Sequence, residues 1–298
     1  MLNGNDNTIS QTTTMETKLN SVADGNRKDS PVFILSPAPR SGTNYLAHIL
    51  LLNPDFQLPN LLWEDYMLMY SHLLEQYTSQ TSKRWSKKIR ENDDYQKSLL
   101  EHLGGGILSF LYKQVENNKR LLCKTPRAHN ISNFFLLFPQ AKLLILIRDG
   151  RDVVESAVRT WPKRILAFER SAYTWARGAR QVIEFMQGSG RDLRGKSWKI
   201  IKYEDLIQNP ETILINLLDF LDIHADTFDM AQFKKMPLWG SSIYHGPKSE
   251  VHWEPVDKPR DFKPIGKWGN WDYWHKSTFK MIAGQELVRL GYVYSNDW

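Results

Sequence analysis

The stretch Pro31–Leu52 constrains the fold more than any other part of the chain. Val32-Phe33-Ile34-Leu35 is an apolar, β-rich run too short for a helix, which reads as a buried parallel strand. A loop of small residues follows, Ser36-Pro37-Ala38-Pro39-Arg40-Ser41-Gly42-Thr43. Beyond it Tyr45, Leu46, Ile49, Leu50 and Leu52 recur at helical spacing until Asn53-Pro54 stops the run. Strand, loop and helix N-terminus in this order leave the N–H groups of Ser41, Gly42 and Thr43 without intrahelical partners, beside Arg40 and two hydroxyls. Such a place cradles a phosphate or sulfate. An ordinary strand-to-helix connection also carries a Ser or Thr cap, but capping does not call for an Arg between Pro and Ser-Gly-Thr. The ATP- and GTP-binding pattern G-x-x-x-x-G-K-[ST] fails: Ser36 replaces its first Gly, and Thr43 follows Gly42 with no Lys between.

Two properties of the whole chain narrow the ligand. Its 298 residues, 41% hydrophobic and 24% charged, suffice for one sizeable core, and a formal net charge of +6 suits an anionic partner. No Lys/Arg-rich block tracks a nucleic-acid backbone, and no run of 18 apolar residues offers a membrane span, so neither partner is expected. Cys123 is the sole cysteine, which excludes an intrachain disulfide and makes a reducing, cytoplasmic setting the expectation. Residues 1–30 are rich in Asn, Thr, Ser and Asp and read as a disordered tail, leaving 31–298 as one domain.

Along that domain, Leu58–Tyr77 is expected to be helical around Glu64-Asp65, and Ser98–Val115 to be a helix interrupted at Gly104-Gly105-Gly106. Arg120–Lys124 reads as a second strand ending at Lys124-Thr125-Pro126-Arg127, and Lys142–Ile147 as a third ending at Arg148-Asp149-Gly150-Arg151-Asp152. Helices are read at Ile131–Phe138, from Val153 on, at Ser171–Met186, at Glu211–Leu221 and at Trp268–Leu290. Trp198–Lys202 is the fourth strand, and Ala225–Lys267 reads as a long irregular lid. The alternation gives an α/β fold, a central parallel sheet flanked by helices with a P-loop-like strand-loop-helix at its start. Ligands of such sheets bind beyond the carboxyl ends of the strands. Arg40, Lys124 and Arg148 all lie just past such ends, and Ser156, eight residues after Arg148, could reach the same anion.

Pro39-Arg40-Ser41-Gly42-Thr43, Lys124-Thr125-Pro126, Ile147-Arg148-Asp149-Gly150-Arg151-Asp152 with Ser156, and Tyr203-Glu204-Asp205-Leu206 with Asn209-Pro210-Glu211 resemble, in order and spacing, the sulfotransferases that use 3′-phosphoadenosine 5′-phosphosulfate (PAPS). Gly240-Ser241-Ser242, Trp253-Glu254-Pro255-Val256 and Pro264-Ile265-Gly266-Lys267-Trp268 resemble that family's C-terminal loop. The likeness is to the Pro-Arg-Ser-Gly-Thr branch of tyrosylprotein and bacterial small-molecule enzymes. It implies that Arg40, Ser41, Gly42, Thr43 and Asn44 hold the 5′-phosphate and sulfuryl oxygens. Arg148, Ser156 and the backbone and side chain of Gly266-Lys267 would hold the 3′-phosphate, with Tyr203 near the adenine and Tyr45 in an adenine-stacking slot. Arg40 and Lys124 would stabilise the leaving group, no metal would be needed, and the product nucleotide would be 3′-phosphoadenosine 5′-phosphate (PAP).

Pro126 stands where another branch carries its histidine base, which turns attention to Glu64, with Asp65 and His129 as alternatives. The acceptor is expected to be a small molecule, and the Trp63-Glu64-Asp65-Tyr66 patch suits a cationic, nitrogen-rich one. A nucleotide-dependent kinase and a non-catalytic nucleotide-binding module stay open as other readings.

Overall fold

The computed structural model describes residues 30–90, 93–161, 165–237, 255 and 263–298. The tail expected over residues 1–30, all but Ser30, together with Gly240-Ser241-Ser242, Trp253, Glu254 and Val256, and most of the expected lid, lie outside the described residues.

The strands are β1 (Val32–Leu35), β2 (Phe56–Gln57), β3 (Arg120–Thr125), β4 (Lys142–Ile147) and β5 (Trp198–Lys202). The helices are α1 (Thr43–Leu50), α2 (His72–Ser82), α3 (Lys87–Arg90), α4 (Asp93–Tyr112), α5 (Phe134–Leu137), α6 (Gly150–Thr160), α7 (Ala167–Gln187), α8 (Tyr203–Gln208), α9 (Pro210–Phe220), α10 (Met230–Lys234) and α11 (Tyr273–Arg289). All four ladders are parallel and the strand order is β2-β3-β1-β4-β5. Among the described residues no helix is long and apolar enough to cross a membrane.

Period-two alternation sorts each strand between two cores. Phe33, Leu35, Cys123, Leu143 and Ile145 point to one side, where Phe134, Phe138, Trp175, Phe185 and Phe279 fill the space between the sheet and the α4, α5, α7 and α11 layer. Val32, Ile34, Leu122, Leu144 and Leu146 point to the other, against Leu46, Ile49 and Leu50 of α1 and Leu214, Leu217 and Leu218 of α9. Helices therefore cover both faces, as a continuously apolar parallel sheet requires. The register aligns Leu35 with Thr125 and Ile147 with Lys202. The exits of β1, β3, β4 and β5 thus lie along one edge. β1, at the centre, is flanked by β3 on one side and β4 on the other, and the crevice opens where the chain departs in both directions.

Three expectations are corrected. The edge strand β2 was not anticipated: it has two residues, too few to show a period. Residues 58–67 are not helical; the first helical turns are a 3₁₀ turn at Leu68–Tyr70 and then α2. The glycines at 104–106 do not interrupt α4, which runs unbroken through them. Gly104 is where α4 touches α5: a Cβ there would sit 2.0 Å from the Leu137 carbonyl oxygen. Close packing outweighs the low helix propensity of glycine at that point.

Candidate active site

The β1–α1 loop is braced internally. The Ser36 and Ser41 hydroxyls both donate to the Ala38 carbonyl, at 3.0 and 2.7 Å, so the Ser41 hydroxyl expected at an anion is spent on shaping the loop. Arg40 (φ 74°) and Gly42 (φ 98°) adopt left-handed backbone. Gly42 is required twice over, for that angle and because a Cβ would sit 2.6 Å from the Tyr203 ring. α1 begins at Thr43 without a side-chain cap, so the first-turn N–H groups of Thr43, Asn44 and Tyr45 emerge at its positive end.

Lys124 projects from the end of β3 to the same place. Its side chain is 0% exposed, and its ammonium donates to Asn44 Oδ1 at 2.6 Å and to Glu64 Oε1 at 2.9 Å. It also lies 4.8 Å from the centre of the Trp63 ring. Burial holds its pKa below the ordinary lysine value, and Glu64 and Asp65 oppose that shift. Glu64 accepts a second, short hydrogen bond, from the Tyr66 hydroxyl to Oε2. Tyr66 is held for this by a left-handed backbone (φ 51°) and by its N–H donating to Thr125 Oγ1 at 3.1 Å. A bulky residue in that region marks a segment over-determined by its surroundings.

The alternative bases are placed elsewhere. The Asp65 carboxylate is enclosed: Oδ1 accepts from the Met67 N–H at 2.9 Å, the Thr125 hydroxyl lies against it, and burial pushes its pKa up. His129 forms no hydrogen bond to Lys124 or Glu64 and lies near Arg177 and Arg127; burial, first, and those charges lower its pKa. The acidic surface patch expected at 63–66 is therefore not presented, because Asp65 is turned inward and Glu64 carries Lys124 and Tyr66. His48, one turn after Asn44 on α1, packs 5.3 Å from the Trp63 ring centre, and burial with Lys124 nearby lowers its pKa to about 4.

On the other side of the loop, Arg148 at the end of β4 donates to the Arg40 carbonyl at 2.8 Å and to the Pro264 carbonyl at 2.6 Å. Its guanidinium stacks 4.4 Å from the Tyr203 ring centre. Tyr203, 7% exposed, packs beneath the loop between Gly42 and Arg148 and has little surface left for a base. Tyr45 lies close to it, partly exposed, its hydroxyl pushed up to about 12 by burial and by Tyr203. The buried Ser156, in the second turn of α6, accepts from Arg40 Nε at 3.2 Å, which joins the two halves of the site. Lys267 is brought to the same region: burial lowers its pKa first, then Arg148 and Arg159. The Gly266 and Lys267 N–H groups expected at a phosphate donate instead to the Asp152 carboxylate, so Lys267 can serve an anion through its ammonium only.

Arg40, Asn44, Lys124, Arg148, Ser156 and Lys267 thus come together from five separate segments. The Asn44 side chain, Tyr66, Asp152 and Arg159 were not assigned from the sequence. Arg159 alone left a signal there, three residues after Ser156 on one helix face.

Comparison with known proteins bears on the family of the chain. A protein-tyrosine sulfotransferase of Drosophila melanogaster is 26% identical over 249 residues, covering 80% of this chain and 43% of the relative. Human protein-tyrosine sulfotransferase 1 is 29% identical over 204 residues, covering 66% of this chain and 52% of the relative. The chain spans about half the length of these curated relatives. Among solved structures, the sulfotransferase domain from the curacin biosynthetic pathway shares the fold, with a TM-score of 0.50 at 21% identity, over 87% of this chain and 98% of that one. The sulfotransferase family pattern itself matches residues 31–227, which hold all five strands found among the described residues and the site residues described above except the 264–268 turn, and the chain belongs to the sulfotransferase family.

Proposed function

We propose that this chain transfers the sulfuryl group of PAPS to an acceptor hydroxyl, with Glu64 as general base and Lys124 as the cation at the leaving group. The observation that carries the reading is the Lys124 ammonium, buried and bonded at once to Asn44 at the head of α1 and to the Glu64 carboxylate. In-line displacement at sulfur needs a proton acceptor on the side of attack and a fixed cation where charge builds on departure, and this pair supplies one of each.

The donor set fits a nucleotide anionic at both ends. Arg40 and the N–H groups of Thr43, Asn44 and Tyr45 suit the 5′ end. Arg148, Ser156, Lys267 and Arg159 suit the 3′-phosphate. Tyr45 keeps exposed surface beside Tyr203 and is the better placed of the two to meet adenine. PAPS, when bound, supplies a sulfuryl group on an anionic leaving phosphate. Lys124 stabilises charge at that oxygen, Glu64 takes the acceptor's proton, and Tyr66 and Lys124 fix the carboxylate from its two oxygens.

For the acceptor, a polypeptide tyrosine is the reading supported by the relatives' names. Arg127 acts on both Tyr66 and His129, and Arg177 on His129, so positive charge borders Glu64 where a cationic small molecule would want carboxylates.

The test is calorimetric titration with PAP and with ATP, of the wild type and of Arg40→Ala and Arg148→Ala, followed by transfer of labelled sulfate from PAPS to tyrosyl peptides and to small phenols and amines. PAP binding lost in both variants and not shared by ATP supports the cofactor. Preference for ATP overturns it and brings the kinase reading forward. PAP binding with no turnover of any acceptor leaves the binding-module reading standing. Transfer to small phenols or amines alone replaces the tyrosine by a small-molecule acceptor.

A further inference from the structure

Asp152 is a fully buried carboxylate in the first turn of α6 to which no anion or proton has so far been assigned. It does not cap its own helix, because Asp149 accepts the Arg151 N–H and does that already. It reaches across the fold to residues 114–116 positions later. Oδ2 accepts from the Gly266 N–H at 2.8 Å; Oδ1 accepts from Lys267 at 2.7 Å and from Trp268 at 3.4 Å. Gly266 adopts φ 78°, and its left-handed turn aligns the three N–H groups on one anion.

That turn is fastened to α6 by other side chains as well. Arg148 donates to the Pro264 carbonyl, and the Trp271 indole donates to Glu155 Oε2 at 2.8 Å. The Arg151 guanidinium lies 3.8 Å from the Trp268 ring centre. A protein carboxylate thus occupies the place where a loop of this shape could hold a phosphate, while the Lys267 ammonium is carried toward Arg148 and Arg159.

Resting on the sulfotransferase reading, we propose that Asp152 is a positioning residue for the 3′-phosphate. It fixes the Gly266–Trp268 turn on α6 so that Lys267 joins Arg148 and Ser156 around one anion, and it leaves side chains, not the turn's amides, to recognise that anion.

The test compares two nucleotides that differ at the 3′ position. PAP and 5′-AMP are titrated calorimetrically into the wild type, Asp152→Asn and Asp152→Glu, with thermal melting to show that each variant is folded. Asn replaces one acceptor oxygen by a donor facing donors, and Glu keeps the charge but pushes the turn away, so at least one folded variant is expected. In either, PAP affinity falls about tenfold or more while 5′-AMP affinity stays within about twofold. Added to Lys267→Ala, the same change brings no further loss of PAP affinity.

A folded variant that keeps the wild-type preference for PAP overturns the proposal. So does equal loss of both nucleotides, which marks a general structural latch, and so does a gain in PAP affinity, which shows the amides competing for the phosphate. A wild type without preference for PAP overturns the sulfotransferase reading itself, and the role of Asp152 falls with it.

Discussion

Glu64 and Asp152 are both carboxylates beside buried cations, and they are satisfied in opposite ways. Glu64 is partly exposed and takes its hydrogen bonds from two side chains, the Lys124 ammonium and the Tyr66 hydroxyl. Asp152 is fully buried and takes its hydrogen bonds from three backbone N–H groups of a distant segment. Side-chain donors can swing away when a substrate arrives, so a carboxylate held by them is free to exchange partners and protons. Backbone donors cannot leave without moving the chain. The first arrangement is suited to chemistry and the second to architecture, although both use the same functional group.

The contrast is sharpest when each charge is removed. Glu64→Gln is expected to lower kcat by about 10²–10⁴-fold, the range for losing a general base, with a melting temperature close to the wild type. A large fall in melting temperature at retained kcat would erase the distinction. Lys124→Met is expected to cost about 10²–10³-fold in kcat. Because the substitution leaves the Glu64 carboxylate and Asn44 Oδ1 without their donor, urea unfolding should also show lost stability, and a loss of stability at unchanged kcat would assign Lys124 to the scaffold.

Asp152→Ala is expected to behave the other way. It leaves three N–H groups without an acceptor, and urea unfolding should register about 2–3 kcal/mol of lost stability. Tyr66→Phe should lower kcat by about tenfold without a change in KM, since it removes one of two donors that orient Glu64. An unchanged kcat would mean that Lys124 orients the base alone.

The same cation can be removed by pH. The folded pKa of Lys124 lies below the ordinary value of 10.5, so activity should fall as pH rises through that lowered value, when the cation is lost. Stability should move in the opposite direction over the same window: up to 10.5 the unfolded chain still binds the proton that the folded chain has released, and raising the pH favours the folded state. A rate-against-pH profile flat up to 10.5, or one unchanged by Lys124→Arg, would break the assignment.

Much of this architecture is legible in local pattern. β1 and β4 carry apolar runs of four and five residues, β3 and β5 carry shorter ones at Leu121-Leu122-Cys123 and Ile200-Ile201, and α1 shows its period, because burial on both faces of a parallel sheet writes itself into composition. The convergence of Arg40, Lys124 and Arg148 followed from one topological rule applied to those strands. What escaped the sequence depends on partners that no local window contains. Residues 58–67 have no period to read, so the turning of Asp65 inward and of Tyr66 onto Glu64 follows from Thr125 and Lys124 on another strand. The Asp152 contact joins positions more than a hundred residues apart, and the unbroken α4 depends on its approach to Leu137.

Distances along the chain also bear on how the protein comes into being. The strand, loop and helix at residues 32–50 are translated before β3, and Lys124 and Glu64 can meet once β3 is made. Arg148 and Asp152 must wait for Pro264–Trp268. On the ribosome, which releases the chain from its N-terminal end, the half of the site holding Glu64 and Lys124 can therefore be assembled while the half holding Lys267 does not yet exist. The last part of the site to be translated, the turn at Gly266–Trp268, is also the part that brings Lys267 to Arg148.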